Sequence, residues 1–342
     1  MKNPTRIAYA AYLATVAQLN GVASATEKFT VAPSVQQTLE TKIQESSGFL
    51  ASINVIGVTD QKGEKIGLGI GGTIAGTTDT SQKDRTPVDP SNLEGSGYEC
   101  TQTNFDTAIK YAKIDMWAKF PDFQTRMRDA IVKRQALDRI LIGFNGRSRA
   151  ATSDRAANPL LQDVNKGWLQ HYRENAAARV MTGGATPGQV TVGTEDADYA
   201  TLDALVFDAV NNLIDPVHQE DTELVVICGR NLLADKYFPI VNQVQPNTEA
   251  VAADLIISQK RIGGLQAVRV PGFPANALMV TRLDNLSIYY QEGARRRTVV
   301  DNAKRDQIEN YESSNDAYVV EDYSCGCVVE NITILEPAPA QA

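Results

Sequence analysis

Apolar residues return at every third or fourth position in several stretches of the chain, a spacing that places them on one face of an α-helix. In the amino-terminal stretch this face ends at Asn20-Gly21, because glycine is typical of a helix end. The face consists of Tyr9, Tyr12, Leu13, Val16 and Leu19. The same spacing predicts helices over residues 122–142, 161–174, 199–214 and 231–241. Pro121 and Gly143 mark the ends of the longest of these.

Strands are predicted where apolar residues alternate with polar ones or form short continuous runs. Residues 224–228 form such a run, which is closed by Gly229. The other predicted strands lie over residues 66–74, 104–113, 265–271, 277–280, 286–290, 318–321 and 327–335, and residues 183–198 are interpreted as a loop or hairpin. The pattern therefore indicates a mixed fold, with a second domain beginning near residue 200.

The glycine-rich stretch KIGLGIGGTIAGTTDT, residues 65–80, suggests two opposed interpretations. A dinucleotide- or phosphate-binding loop requires a helix directly after the glycines or a closing Gly-Lys-Ser/Thr, and this stretch has neither. Ile66, Leu68 and Ile70 instead alternate with glycine, which favours an extended ribbon that lies close to another backbone. Because residues 74–98 contain few large apolar side chains, we expect the excursion over 53–100 to pack on something else. The glycines are Gly67, Gly69, Gly71, Gly72 and Gly76.

Charge limits the partners of the chain. Among its 342 residues, 33 Lys and Arg face 41 Asp and Glu, for a net charge of -8. This acidic balance argues against broad capture of nucleic acid, so any contact with DNA is expected to be local. The run Arg295, Arg296 and Arg297 is the best local candidate. A solvated loop is its plainer interpretation, and a contact with packaged DNA or with a neighbour's carboxylates is the alternative.

Candidate catalytic and metal-binding chemistry is sparse. His171 and His218 have no cysteine or carboxylate at metal-ligand spacing, and Cys325 and Cys327 are expected to pack on one face of a core strand.

Scattered cysteines favour a reducing compartment, and no apolar run approaches the ~20 residues of a membrane span. Residues 23–25 imitate a signal-peptidase site, but the helix face is the preferred interpretation of the amino terminus. We expect a soluble protein that is not an enzyme and has no cofactor.

Several phrases, spread from about residue 7 to residue 334, resemble one known family. They are EKFTVAPSVQQTLETKIQESSGFL, KGEKIGLGIGGTIAGTTDT, YECTQTNFD, IVKRQALDRILIGFNG, ELVVICGRNLLADKYFPIVN, ADLIISQKRIGGLQAVRVPGFPANALMVTRLDNLSIYY and NYESSNDAYVVEDYSCGC. These phrases are similar to the major capsid protein of peduoviruses, the P2-like contractile-tailed phages. The resemblance implies an α+β chain with the tailed-phage capsid fold of the Hong Kong phage type.

The resemblance also implies a division of the chain. Its parts are an assembly segment over 1–28, an N-terminal arm over 29–52, an extended loop over 53–103, a peripheral domain with a spine helix over 104–198, an axial domain over 199–335 and a disordered tail over 336–342. In that fold the extended loop lies across a neighbouring subunit, so the glycine-faced ribbon is interpreted as assembly chemistry.

The function that the resemblance implies is that of a coat subunit. Hexamers and pentamers of the chain would form the icosahedral head shell around double-stranded DNA, assembled in the host bacterial cytoplasm. The implied partners are the chain itself, a scaffold-protease, the portal protein, head-decoration or head-completion proteins and the packaged DNA, with no membrane. An encapsulin-like compartment shell is the alternative within the same fold, and a glycine-loop nucleotide enzyme is the alternative of a different class.

The amino terminus is the expected site of processing. Residues 1–28 carry a positive balance in an acidic chain, which suits docking on an acidic or helical partner. In peduoviruses a scaffold-protease trims the coat protein near its amino terminus, and residues 23–28 are small and polar, so we expect them to be accessible. The predicted processing region is Ala25, Thr26, Glu27, Lys28, Phe29, Thr30 and Val31. The alternative is that the helix stays attached and caps the inner surface.

Overall fold

The structure is a computed structural model that describes residues 1–64, 75–87, 97–117, 120, 123–194, 196–229, 231–233, 236 and 260–335. Its helices are α1 (Asn3–Asn20), α2 (Pro33–Glu45), α3 (Tyr111–Trp117), α4 (Phe123–Asn145), α5 (Trp168–Asn175), α6 (Leu202–Leu213) and α7 (Pro216–Gln219). The predicted strand over 66–74 and the tail over 336–342 lie outside the described residues, as does most of the predicted helix over 231–241.

Two larger sheets and two short strand pairs make up the β-structure. The strands are β1 (Phe29–Thr30), β2 (Asn54–Val58), β3 (Lys62–Glu64), β4 (Gly97–Glu99), β5 (Thr101–Asn104), β6 (Thr107–Lys110), β7 (Val180–Met181), β8 (Val190–Val192), β9 (Val225–Cys228), β10 (Arg261–Ile262), β11 (Leu265–Arg269), β12 (Leu278–Thr281), β13 (Leu286–Gln291), β14 (Arg296–Asn302), β15 (Gln307–Val320), β16 (Cys327–Val329) and β17 (Ile332–Ile334).

The first sheet is built around the 14-residue strand β15. Its strand order is β1-β14-β15-β13-β2, and β5 and β6 also pair with β15. Strands β14 and β15 form an antiparallel pair from Arg296↔Ser313 to Asn302↔Gln307. The predicted strand over 104–113 is therefore wrong as a single element: β5 and β6 pair with separate parts of β15, and helix α3 begins directly afterwards at Tyr111.

The second sheet has the order β10-β11-β9-β12-β16-β7 and mixes parallel with antiparallel pairs. Helix α6 covers it, because Leu205, Val206 and Ala209 pack with the continuous apolar strand β9 in one buried cluster. The predicted strand over 327–335 is divided into β16 and β17, since Asn331 between them adopts a left-handed φ of 58°. Strand β8 pairs in parallel with β17, so of the two interpretations of 183–198, loop or hairpin, the hairpin is wrong.

The boundary predicted between a peripheral and an axial domain does not follow the sheets. Within 199–335, strands β13, β14 and β15 belong to the first sheet and pair with residues before 111. Strand β7, before residue 199, belongs to the second sheet. The strands of 199–335 therefore divide between the two sheets, because the chain returns to the first sheet after β12.

Helix α4 runs through the main core. At 23 residues it extends about 35 Å. The predicted stop at Gly143 is wrong, since the helix continues to Asn145 and Gly143 serves close packing: a Cβ there would lie 2.7 Å from Cε3 of Trp168. Trp168 is fully buried, and its ring meets Phe144 and Tyr318 edge-on at centroid distances of 5.0 and 5.5 Å. This core joins both sheets, because its cluster contains residues of β9 and β12 as well as β13 and β15.

The amino-terminal helix has the predicted end. Helix α1 stops at Asn20, and Gly21 caps it with a left-handed φ of 63°. Val16 of the predicted face is buried and packs against Tyr12 and Leu13. Leu19 does not belong to that face, because it is 61% exposed.

Candidate functional site

Helix α1 is fixed on the body of the protein at its start and near its middle. The backbone N–H of Lys2 donates to Oδ1 of Asp115 on α3 at 2.9 Å. Near the middle of the helix, Nη2 of Arg297 on β14 donates to the Tyr12 hydroxyl at 2.6 Å. The residues of the predicted processing region therefore follow a docked helix.

Those residues are bound to the edge of the first sheet. Phe29 and Thr30 form β1, which pairs antiparallel with β14 in the register Phe29↔Arg297 and Thr30↔Arg296. On either side, the Val299 N–H donates to the Ala25 carbonyl at 3.0 Å and the Val31 N–H donates to the Arg295 carbonyl at 2.9 Å. The backbone is thus engaged at both ends of the region.

Burial divides the processing region. Thr26, Glu27 and Lys28 are exposed, as expected. The expectation of accessibility is wrong for Ala25, which is 2% exposed. Phe29 and Val31 are also buried, because they form a small apolar cluster with Ala25 and with Val16 and Ala17 of α1. The folded subunit leaves a three-residue exposed bulge between two buried anchors.

The three consecutive arginines have three different environments. Arg295 is fully buried, so its assignment to a solvated loop or to DNA is wrong: its guanidinium pairs with Glu40 and Glu312 inside the protein. Arg296 is exposed. Arg297 is half-buried and, besides the Tyr12 hydroxyl, its Nε donates to Oδ1 of Asn310 at 2.7 Å. The alternation follows from the period of the strand they enter, which turns successive side chains to opposite faces.

A buried charged junction, formed by Glu40, Arg139, Arg295, Glu312 and Asp316, joins α2, α4 and the first sheet. Arg139 of α4 forms an ion pair with Glu40 of α2, and its Nε donates to Oδ2 of Asp316 on β15 at 3.0 Å. Arg295 Nη1 lies 2.6 Å from Glu40 Oε1, and its Nη2 lies 2.7 Å from Glu312 Oε1. Each of these side chains is no more than 5% exposed.

The arginines keep Glu40 and Glu312 ionised. Burial alone would raise the pKa of Glu40, but Arg139 and Arg295 outweigh it and lower that pKa below its ordinary value of 4.5. The pKa of Glu312 is lowered in the same way, because Arg295 and Arg297 overcome the effect of burial. The junction is therefore a set of ion pairs that forms only when distant segments are brought together.

Acid is expected to weaken the junction. A carboxylate whose pKa is lower in the folded than in the unfolded chain stabilises the fold above the unfolded value and loses that effect as pH falls through the folded value. We expect the unfolding free energy to decline below about pH 4.5, and to decline less in a Glu312→Gln variant that is already weaker at pH 7. Urea unfolding from pH 3 to pH 7 measures this. Parallel curves for the two proteins below pH 4.5 would contradict the assignment.

Sequence reasoning missed this junction, although a signal was present. Arg139 lies on the same helical stripe as the buried residues Val132 and Ala136, and Glu40 lies between Gln36 and Ile43 at helical spacing. A charged residue on an apolar stripe indicates a buried partner, since an unpaired buried charge is too costly. The sequence does not indicate which residues pair, because up to 255 residues separate the partners along the chain.

The base of the predicted extended loop is a two-stranded ribbon. Strands β3 and β4 pair antiparallel from Lys62↔Glu99 to Glu64↔Gly97, which places the two ends of the loop side by side. Tyr98 anchors the ribbon by meeting Tyr289 of β13 edge-on at 5.1 Å. Gly76 is described and has open space around it. The predicted contact glycines Gly67, Gly69, Gly71 and Gly72 lie outside the described residues.

The two histidines are partly buried, and the four cysteines are buried. Burial lowers the pKa of His171, and Nε2 of His218 lies 3.5 Å from Oδ2 of Asp322. Cys325 and Cys327 are free and buried in the core of the second sheet, as expected, but Cys325 lies in a short 3-10 turn and not on a strand. Within the described part of the chain, no group of three or more His, Cys, Asp or Glu side chains is placed to hold a metal ion. No helix in that part is both long and apolar enough for a membrane span.

Comparison with known proteins connects these features to a family. Residues 8–332 match the model of the phage major capsid protein, P2 family. The capsid protein of Escherichia phage P2 is 56% identical over 351 aligned positions, which cover 100% of this chain and 98% of that protein. The major capsid protein of Serratia phage KSP20 is 41% identical, with coverage of 98% and 99%.

Solved structures agree with the sequence relatives. The procapsid of satellite phage P4 including the size determination (Sid) protein contains a chain that is 53% identical, with a TM-score of 0.82 and coverage of 98% of this chain and 99% of that one. The cyanophage A-1(L) capsid shares the fold alone, at 15% identity and a TM-score of 0.50 over 82% of this chain and 90% of that one. The encapsulin-like and nucleotide-enzyme alternatives receive no support from these relatives. The chain therefore belongs to the P2 family of phage major capsid proteins, which are structural components of the virion head and not enzymes.

Proposed function

We propose that this subunit forms the hexamers and pentamers of an icosahedral head around double-stranded DNA, and that a scaffold-protease removes its amino-terminal segment during maturation. The organisation of the apolar core carries the second part of this proposal. The cluster of Val16, Ala17, Ala25, Phe29 and Val31 is separate from the two large cores that join α2, α4, α5 and α6 to the sheets. Loss of residues 1–28 would therefore leave both large cores intact.

Exposed apolar side chains on three helices, α3, α6 and α7, support contacts with other copies. Phe207 on α6 and Val217 on α7 are 66% and 68% exposed, and Met116 on α3 is 62% exposed. Burial of these side chains against a neighbouring copy would remove their apolar surface from water. A contact between two different surfaces repeats until rotational symmetry closes it, as in rings of five or six.

Charge supports only weak attachment to the packaged DNA. The net charge of -8 opposes broad binding, and Arg295 and Arg297 are engaged within the subunit. Arg296 is the member of the triplet that retains an exposed side chain. We propose Arg296 as the local contact with DNA or with a neighbouring subunit. The portal protein and head-decoration or head-completion proteins are further proposed partners, with assembly in the host bacterial cytoplasm.

Mature heads provide the test of this function. Electron-microscopic reconstruction should resolve rings of six and five subunits, and no density for α1 on β14. The intact mass of the coat protein from the same heads should correspond to a chain that begins between about residues 26 and 31, as expected for exposed segments near a terminus.

Two outcomes would contradict the proposal separately. Heads whose coat protein still begins at residue 1 or 2 would refute trimming while leaving the shell assignment intact. A purified chain that remains a compact monomer at every concentration in ultracentrifugation would refute the assembly assignment.

A further inference from the structure

We propose that α1 is a latch that protects the processing region, so that the bonds from Lys28 to Val31 are cut only after β1 has separated from β14. The proposal rests on the trimming proposed above for its biological role, but its physical content concerns the folded subunit alone.

The backbone provides the first argument. A protease binds its substrate as an extended strand through main-chain hydrogen bonds on both sides of the cut bond. Here the main-chain groups on the β14 side are occupied: Phe29 and Thr30 pair with β14, Ala25 accepts from Val299, and Val31 donates to Arg295. The exposed bulge from Thr26 to Lys28 is too short to fill a protease cleft while its two ends remain bound to the sheet.

Side chains of α1 provide the second argument. Arg297 lies opposite Phe29 in the strand register, and the same guanidinium donates to the Tyr12 hydroxyl at 2.6 Å. Val16 packs with Phe29 in the small apolar cluster. The helix therefore supports the pairing of β1 from two directions, and loosening the helix should loosen the strand.

The latch is also weak enough to open. Strand β1 has only two residues, and its apolar cluster is isolated from the large cores. The Tyr9 hydroxyl of α1 is buried and has no hydrogen-bond partner among the described residues, which disfavours the docked state. Segments with few buried contacts open locally at a free energy well below that of global unfolding.

Limited trypsin digestion of the full-length chain tests the latch. Trypsin cuts after Lys28 and after the exposed Arg85 in the extended loop, so Arg85 is an internal reference. We expect Lys28 to be cut much more slowly than Arg85. The Tyr12→Phe variant should increase the ratio of the Lys28 to the Arg85 rate about tenfold, because it removes a hydrogen bond to a charged group. Val16→Ala should increase the ratio in the same direction by loosening the apolar cluster.

Tyr311→Phe is the matched control. It removes the hydroxyl of an exposed tyrosine that bonds Glu309 at 2.7 Å on the same sheet, so its ratio should equal that of the parent. Hydrogen exchange is a second readout: the amides of Val31 and Val299 should exchange faster in Tyr12→Phe, while amides of α4 should not change. All proteins are compared in one assembly state, established by sedimentation.

If Lys28 is cut as fast as Arg85 in the parent chain, or if Tyr12→Phe and Val16→Ala leave the ratio unchanged, the region is not protected by α1. Heads that retain residues 1–28 would refute the biological trimming, whereas the trypsin ratios would still decide whether the latch exists.

Discussion

Replacing Arg139 with methionine should lower the free energy of unfolding by about 3–5 kcal/mol, the usual cost of removing one partner from a buried ion pair. Methionine fills much of the same space, so the loss is chiefly electrostatic. It removes the guanidinium that pairs with both Asp316 and Glu40 in the parent protein. Because Arg295 still contacts Glu40, the effect should be largest on the Asp316 side of the junction.

Arg134→Met is the matched control for this prediction. It removes an arginine from the same helix, but the Arg134 side chain is 66% exposed and its partner Asp138 is 23% exposed, so the pair is in contact with solvent. The expected loss is about 0–1 kcal/mol. Urea unfolding of the free subunit followed by tryptophan fluorescence reports both variants, since Trp168 is buried in the main core. Equal losses in the two variants would show that the junction does not stabilise the fold.

Replacing Gly167 with alanine should cost about 3 kcal/mol or more, by overpacking. Gly167 precedes α5 where that helix crosses α4, and an added Cβ would lie 2.7 Å from the carbonyl carbon of Gly143 and still closer to the carbonyl oxygens of Ile142 and Gly143. These are backbone atoms of a buried helix and cannot rotate away. Gly167 has an extended φ of -101°, so the cost arises from crowding and not from backbone strain.

Gly48→Ala provides the comparison for Gly167. No atom lies within 4 Å of a Cβ at that position, so we expect no loss and a gain of about 0.4–1 kcal/mol from a stiffer unfolded chain. Thermal unfolding and the yield of assembled shells measure both substitutions. A Gly167→Ala protein as stable as Gly48→Ala would mean that α4 and α5 can separate at little cost.

Local patterns were sufficient for much of the secondary structure. Helix α1 ends where Asn20-Gly21 predicted, α4 begins within a residue or two of Pro121, and the continuous apolar run before Gly229 is strand β9. These features depend on nearest neighbours along the chain: helical spacing, proline at a helix start and glycine at a helix end. The resemblance of long phrases to peduovirus coat proteins also identified the family before any tertiary contact was known.

The candidate site was less predictable, because its properties depend on segments far apart in sequence. Arg295, Arg296 and Arg297 look alike in the sequence, yet one is buried, one is exposed and one is bound to Tyr12. Which of them is buried depends on the register of β14 against β15 and on the position of α2.

The sequence by itself determined the family, the α+β class, the long helix and the end of the amino-terminal helix. Each of these depends on local residue spacing or on contiguous stretches of sequence. Only the tertiary structure decided that Phe29 and Thr30 of the predicted processing region form a strand on β14, that Gly143 is a packing position and not a helix end, and that Arg139 and Arg295 share Glu40. The physical reason is the same in each case. Burial and pairing are properties of residues brought together from distant parts of the chain, and one residue's local surroundings in the sequence do not specify its partner.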